Sequence, residues 1–68
     1  MWFIVFFQSY RWPRPWFQLG VFDTYEEAEN RIREEKRLLW NERRLLDYFE
    51  GNFEIHIHLD LQIDDLDL

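Results

Sequence analysis

Two histidines and several acidic residues alternate with apolar residues near the end of this chain, at a spacing that could support chemistry. In "NFEIHIHLDLQIDDLDL", residues 52–68, the alternating polar positions are Glu54, His56, His58, Asp60 and Gln62. Residues two apart on a β-strand point to the same side, so these imidazole and carboxylate groups would form one row. Such a row could bind a divalent metal ion, contact a partner, or face water.

Metal binding is the first chemistry that this row suggests. The segment "HIHLD" resembles the start of the His-x-His-x-Asp-His motif of metallo-β-lactamase-type hydrolases, with matches at His56, His58 and Asp60. The final histidine of that motif is absent, and the chain has two histidines and no cysteine in total. A catalytic zinc site needs further ligands, an open position and supporting hydrogen bonds. The sequence therefore predicts no metal and no cofactor, with His56 and His58 as solvent-facing residues.

A catalytic nucleophile is also hard to find. Ser9 is the only serine, Thr24 stands where a helix cap is expected, and no cysteine is present to act with a histidine. The acidic residues between 26 and 42 alternate with arginine and lysine at helical spacing, which is typical of ion pairing on a helix surface. We therefore expect a protein that is not an enzyme.

Charge is distributed unevenly along the 68 residues, whose formal net charge is −6. Residues 1–22 contain two arginines and no acidic residue, whereas residues 51–68 contain five acidic residues and no basic one. The acidic balance disfavours nucleic acid as a partner, because affinity for phosphates depends on cations that displace counterions. It favours a partner protein with a basic surface.

The first ten residues, "MWFIVFFQSY", are strongly apolar. They lack a charged leader and a cleavage site with small residues, and the apolar run is too short to span a bilayer. We therefore expect a cytoplasmic protein without a membrane segment. Because apolar residues occupy both faces of this run, it is predicted to be a central strand.

The rest of the pattern predicts an α+β domain with the order ββαβ. "RWPRP" is a hairpin loop because its prolines cannot donate to a strand ladder, and "WFQLGVF" continues as the second strand. A long helix follows, with a capping box at its start and Gly51 in a left-handed conformation after its last turn. Alternation from Phe53 to Ile63 predicts a third strand beside the first. We expect a three-stranded antiparallel-type sheet in the order 2-1-3 with one long helix packed on one face. Residues 1–63 would form the single domain and residues 64–68 an acidic tail.

One helix covers only one face of such a sheet. Strict alternation along the second strand places Trp16 and Phe22 on the other face, together with one of two sets from the first strand, Trp2, Ile4 and Phe6 or Phe3, Val5 and Phe7. A contiguous exposed apolar patch usually belongs to an interface. We expect Trp2, Trp16 and Phe22 to contact a partner protein or a second copy in a homodimer.

The hairpin segment "YRWPRPW" combines cations with rings, a composition that can stack on bases and contact phosphates. The following run, Leu19 to Ala28, lies in a segment, residues 16–32, that resembles the plant ethylene-response type of DNA-binding domain. That resemblance implies a three-stranded sheet on one helix, with arginine and tryptophan contacting DNA. It makes a weak nucleic-acid contact an alternative, through Arg11, Trp12, Arg14 and Trp16.

The acidic end of the chain carries the leading functional hypothesis. Five carboxylates form the predicted partner-binding face: Glu54, Asp60, Asp64, Asp65 and Asp67. In size, charge and the "GVFDTYEEA" turn, the chain resembles small acidic phage-encoded inhibitor proteins. This resemblance implies an inhibitor of the anti-CRISPR type that mimics nucleic acid and occupies a basic surface of a host protein. The alternative is a dimeric structural domain that uses the exposed aromatic face.

Overall fold

The most apolar segment of the sequence forms the central strand of a three-stranded sheet. The computed structural model describes residues 1–59, with the elements β1 (Trp2–Gln8), β2 (Trp16–Phe22), α1 (Tyr25–Asn41), α2 (Leu45–Glu50) and β3 (Asn52–His58). The strands lie in the order β2-β1-β3, and β1 is antiparallel to both neighbours. The predicted α+β fold and the predicted strand order are therefore confirmed, with one additional short helix.

The strand register defines two ends of the domain. Gln8 lies opposite both Trp16 and Asn52, so the hairpin loop and the start of β3 share one end, which we call the loop end. At the opposite end, Trp2 pairs with His58, so β3 leaves the sheet there. Since α2 leads directly into β3, it also belongs to the loop end.

The core lies between β1 and α1. Val5, Phe7, Ala28 and Leu39 are almost completely buried. On β1 the buried residues are two apart, and on α1 they follow a helical period, as expected for one face of each element. The Phe7 ring contacts Phe53 of β3, with ring centroids 4.9 Å apart. Within residues 1–59, Phe7 is the one aromatic residue of this buried set, and all four tryptophans are exposed.

The helix starts where the sequence predicts it. Thr24 is the N-cap, and its hydroxyl accepts a hydrogen bond from the Glu27 backbone N–H at 3.1 Å. This bond satisfies one of the N–H groups that the first helical turn leaves free. Thr24, and not the preceding Asp23, is therefore the N-cap residue.

A single long helix was the wrong prediction, because α1 ends at Asn41 and α2 begins at Leu45. Arg43 has a φ of 61°, a left-handed conformation that breaks the helical path. The Arg44 N–H then bonds back to the Leu39 carbonyl at 2.9 Å, which satisfies a free acceptor of the last turn. The break lets α2 turn across the loop end.

The break also changes which apolar residues are covered. In one continuous helix, Leu46 and Phe49 would extend the apolar side of α1 that packs on the sheet. On α2 they are 65% and 64% exposed. On β3, Ile57 is 58% exposed, because α1 packs mainly on β1 and β2. The predicted extension of the third strand to Ile63 and the predicted boundary between residues 63 and 64 lie outside the described residues.

Gly51 has a different role from the predicted one. Its φ is −70°, so it is not in the left-handed conformation expected after a helix. A Cβ at this position would lie 2.5 Å from the Asp47 carbonyl oxygen and 2.6 Å from Cε1 of Phe7. Glycine is therefore required because α2 and the core approach the backbone closely. Among residues 1–59, no helix has the length and apolar character needed to cross a membrane.

Candidate functional site

The polar row of β3 lies on the face of the sheet that the helices do not cover. On β1, Val5 and Phe7 are buried on the helix side, and the Phe3 ring contacts Tyr25 of α1. The intervening residues Trp2, Ile4 and Phe6 lie opposite His58, His56 and Glu54 respectively. Directly opposed residues share a face, so the β3 row faces away from the helices. We call this surface the open face.

Glu54 and His56 form a pair on the open face. His56 Nε2 and Glu54 Oε1 are 2.8 Å apart, and about half of each side chain is exposed. The His56 ring also contacts the Phe6 ring, with centroids 4.8 Å apart. The carboxylate and the neighbouring aromatic ring thus hold the imidazole against the sheet.

The residues proposed from the zinc-hydrolase resemblance are only partly described. His56 and His58 both lie on the open face, and Asp60 falls outside the described residues. Within residues 1–59, no three histidine, aspartate or glutamate side chains are grouped closely enough to hold a metal ion. The chemistry visible on β3 is therefore a histidine–carboxylate contact.

Apolar side chains share the rest of the open face with Gln8, Gln18 and Asn52. Trp2 is 41% exposed and Trp16 is 45% exposed, although both belong to strands of the sheet. A cleft lined by Phe6, Trp16, Glu54 and His56 runs across all three strands. The apolar half of the open face and its acidic margin are therefore one continuous surface.

A β-bulge corrects the predicted faces of β2. The register shifts by one residue between two neighbouring pairs, Val5–Gly20 and Phe6–Gln18. Leu19 is the extra residue, and its carbonyl accepts a hydrogen bond from Arg31 Nε of α1 at 3.3 Å. An extra residue reverses the alternation of side chains beyond it.

As a result, Phe22 and Val21 exchange their predicted faces. Phe22 lies opposite Phe3, on the side that α1 covers, and its ring packs over Gly20. Val21 lies opposite Ile4 on the open face and is 47% exposed. The prediction that Phe22 shares an exposed face with Trp16 and Trp2 is therefore wrong. The sequence signal for this bulge is Gly20, because a glycine inside a strand often marks a bulge.

The residues predicted to contact nucleic acid are divided between two surfaces. Arg11, Trp12 and Arg14 lie in the hairpin loop, where Trp12 is 85% exposed and Arg14 lies over the Tyr10 ring at 5.7 Å. Trp16 lies on β2 and belongs to the open face. Three of the four residues therefore lie in the hairpin loop, and the fourth is the first residue of the adjoining strand.

A buried carboxylate at the loop end is the main feature that sequence reasoning missed. Asp47 of α2 is only 8% exposed. Its Oδ1 accepts hydrogen bonds from Ser9 Oγ at 2.9 Å and from the Tyr10 backbone N–H at 2.8 Å. Its Oδ2 accepts one from Arg44 Nη2 at 2.5 Å. Asp47 therefore connects α2 to the hairpin loop.

The hydrogen bonds also set the acidity of this carboxyl. Burial alone would raise the pKa of Asp47, but bonds from Tyr10 and Ser9 and the adjacent Arg44 guanidinium bring it below its ordinary value. Asp47 is therefore ionised at neutral pH. Ser9, the only serine, is completely buried and donates its hydroxyl to Asp47, an arrangement that holds the loop in place.

The loop end also contains a basic groove, lined by Tyr10, Arg11, Arg43, Arg44, Leu45, Leu46 and Asp47. Arg43 and Arg44 belong to the turn between the helices, far in sequence from Arg11. In the sequence these two arginines read as part of a charged helix surface, so only the helix break brings them to the hairpin loop. We call this feature the loop-end groove.

Of the five carboxylates predicted to form an acidic face, the structure describes Glu54 alone. Asp60, Asp64, Asp65 and Asp67 lie outside the described residues. No protein-family model, curated protein or solved structure matches this chain. The functional proposal therefore depends on the open face and on the charges of the chain.

Proposed function

We propose that this chain is a non-enzymatic protein-interaction domain that binds a partner protein through its open face. The observation that carries the proposal is the continuity of that surface. Exposed Trp16 lines a cleft that reaches Glu54 and His56 on β3, and exposed Trp2 lies farther along β1 on the same face. Aromatic residues that are half exposed on a sheet are favourable contacts for another protein, because they bury large areas with few rotatable bonds.

The partner has a definable chemistry. The apolar half of the open face requires an apolar patch on the partner, and Glu54 on β3 requires a basic margin beside it. Beyond β3, the sequence adds Asp60, Asp64, Asp65 and Asp67 without any basic residue. With a net charge of −6, the whole chain attracts a cationic surface and thereby accelerates encounter. A protein with an apolar patch bordered by lysine or arginine fits these features.

A narrower role follows from the sequence resemblance described above. A basic surface that normally holds nucleic acid would be blocked by an acidic chain bound to it. This inhibitor role depends mainly on the aspartates after residue 59, and it stays a prediction from the sequence.

Paired affinity capture from lysate of the source cells tests the proposal. The variant W2S/W16S removes both tryptophans of the open face, whereas W12S removes the more exposed tryptophan of the hairpin loop. We expect the wild type and W12S to retain the same captured protein and W2S/W16S to lose it. Raising the salt concentration should weaken the capture, since the margin of the interface is charged.

Two results would contradict the proposal. One is capture that W2S/W16S retains at the wild-type level, because the open face would then be dispensable. The other is that the wild type captures no protein beyond those that W2S/W16S also captures. If the retained protein is the chain itself, the open face forms the homodimer that was the alternative expectation.

A further inference from the structure

We propose that the loop-end groove binds residues 60–68 from a second copy of this chain, so that copies associate head to tail. This inference does not depend on the proposed function, which uses the open face. It rests on the chemistry of the groove, on the composition of those nine residues and on the distance between the two.

Two arginines of the groove have no acidic partner among residues 1–59. Arg11 and Arg43 are both exposed, and within the described part of the chain no carboxylate forms an ion pair with either of them. Arg44 differs, because it is bound to Asp47. Two free guanidinium groups at one groove favour a ligand that carries carboxylates, with which arginine forms paired hydrogen bonds.

The same groove exposes apolar side chains. Leu45 is 41% exposed, Leu46 is 65% exposed and Tyr10 is 43% exposed. A simple anion would leave these side chains in water. A ligand that alternates apolar and acidic residues would cover them and also neutralise the arginines, which combines the hydrophobic gain with charge pairing.

The end of this chain has that composition. Residues 60–68 read "DLQIDDLDL", which contains four aspartates, four leucine or isoleucine residues and no basic residue. In an extended conformation, Leu66 and Leu68 would lie on one side of the segment and Asp65 and Asp67 on the other. The segment could therefore place leucines on Leu45 and Leu46 while its carboxylates reach the arginines at the rim.

Distance decides that the segment comes from another copy. Residue 60 follows shortly after His58, which pairs with Trp2 at the end of the sheet opposite the loop end. The seven residues of β1 separate the two ends by roughly 20 Å. Nine extended residues reach about 30 Å, so only the last few residues could enter the groove of their own chain. From a second copy, all nine can bind.

The resulting interface is heterologous, because a groove on one copy meets a segment on the next. Such an interface uses one donor and one acceptor site per copy and can continue into open chains. It also withholds the aspartates from any other basic surface. Association and partner binding through those aspartates would therefore compete.

A complementation experiment tests this arrangement with the full chain. The segment variant D60N/D64N/D65N/D67N removes the four negative charges, and the groove variant R11Q/R43N removes the two free guanidinium groups. Asparagine suits position 43 because it tolerates the left-handed conformation seen at Arg43. Sedimentation velocity over a range of concentrations gives the mass of each sample.

We expect the mass of the wild type to rise with concentration and each variant alone to remain a monomer. A mixture of the two variants should form dimers and nothing larger, since one intact groove and one intact segment remain per pair. Loss of the arginine contacts should raise the dissociation constant at least about tenfold. The control R33Q/K36Q removes two positive charges from α1 and should assemble like the wild type.

Several outcomes would overturn the inference. A wild type that stays monomeric at every concentration excludes the interface. Assembly of the segment variant at the wild-type level shows that residues 60–68 are not needed. A mixture of the variants that forms no dimer shows that groove and segment do not meet. Loss of assembly in W2S/W16S alone would assign the contact to the open face.

Discussion

Asp47 at the loop end and Glu54 on the open face each place a carboxylate against polar groups, but in different surroundings. Asp47 is 8% exposed and accepts bonds from three residues, of which Ser9 and Tyr10 are distant in sequence. Glu54 has about half of its side chain exposed and contacts His56, two residues away. One carboxylate fixes the fold, and the other remains available for contact.

Burial accounts for this difference. A hydrogen bond in water replaces an equivalent bond to solvent and adds little stability, whereas a buried donor left without its acceptor is strongly unfavourable. The loop end should therefore respond to substitution with large changes in stability. The open face should respond with changes in binding.

The largest expected effect is that of D47A. It leaves the Ser9 hydroxyl and the Tyr10 N–H buried or half-buried without their acceptor and releases Arg44. We expect a loss of about 3 kcal/mol in the free energy of unfolding, measured by urea denaturation. E50A on the same short helix removes an exposed acid and should change the value by less than about 0.5 kcal/mol. Equal effects of the two substitutions would show that the Asp47 contacts do not hold the loop.

The second effect is that of G51A. The added methyl would overlap the Asp47 carbonyl and the Phe7 ring, so α2 would have to shift away from the sheet. We expect a loss of about 1–3 kcal/mol in the free energy of unfolding. The neighbouring substitution N52A removes the exposed hydrogen bond to Gln8 and should have a smaller effect. An unchanged stability in G51A would mean that the close approach at the loop end does not restrain α2.

The third effect concerns pH. Because the pKa of Asp47 is lower in the folded state than its ordinary value, its contribution to stability is complete at neutral pH. That contribution is lost as the pH falls below the ordinary carboxyl pKa of 3.8 and through the lower folded-state pKa. Urea denaturation at pH 6 and pH 3 should therefore show a smaller decrease for D47N than for the wild type. An equal decrease would indicate that Asp47 does not titrate with folding.

The smallest effect is expected at the Glu54–His56 pair. Both side chains are about half exposed, so a double-mutant cycle with E54Q and H56Q should give a coupling of less than about 1 kcal/mol. The same substitutions should reduce binding of the partner that the open face captures. A coupling as large as the D47A effect would mean that the open face is structural after all.

Local patterns were sufficient to predict the frame of the molecule. Apolar residues on both faces of β1 predicted its central position. Asp23 and Thr24, with Glu26 and Glu27 three residues later, predicted the start of α1. These features depend on neighbours within a few residues along the chain. The exposure of Trp16 was predicted because one helix cannot cover both faces of a sheet, whereas the sequence left open whether Trp2 or Phe3 shares that face.

The candidate site was harder to predict because long-range contacts form it. The helix break at Arg43 contains no glycine or proline that would predict it. The contacts of α2 with the hairpin loop stabilise it instead. Ser9 and Asp47 are 38 residues apart, so neither residue indicates the other in the sequence. The bulge at Leu19, which removes Phe22 from the open face, depends on pairing with β1.

By itself, the sequence determined where the three strands and the first helix begin, the central place of β1 and the uneven charge, because propensity, alternation and composition are local properties. The tertiary structure decided which acid is buried, which aromatic residues share the open face and which arginines meet at the loop-end groove. Those outcomes depend on desolvation and strand register. Desolvation and strand register both depend on contacts between segments that are distant in the sequence.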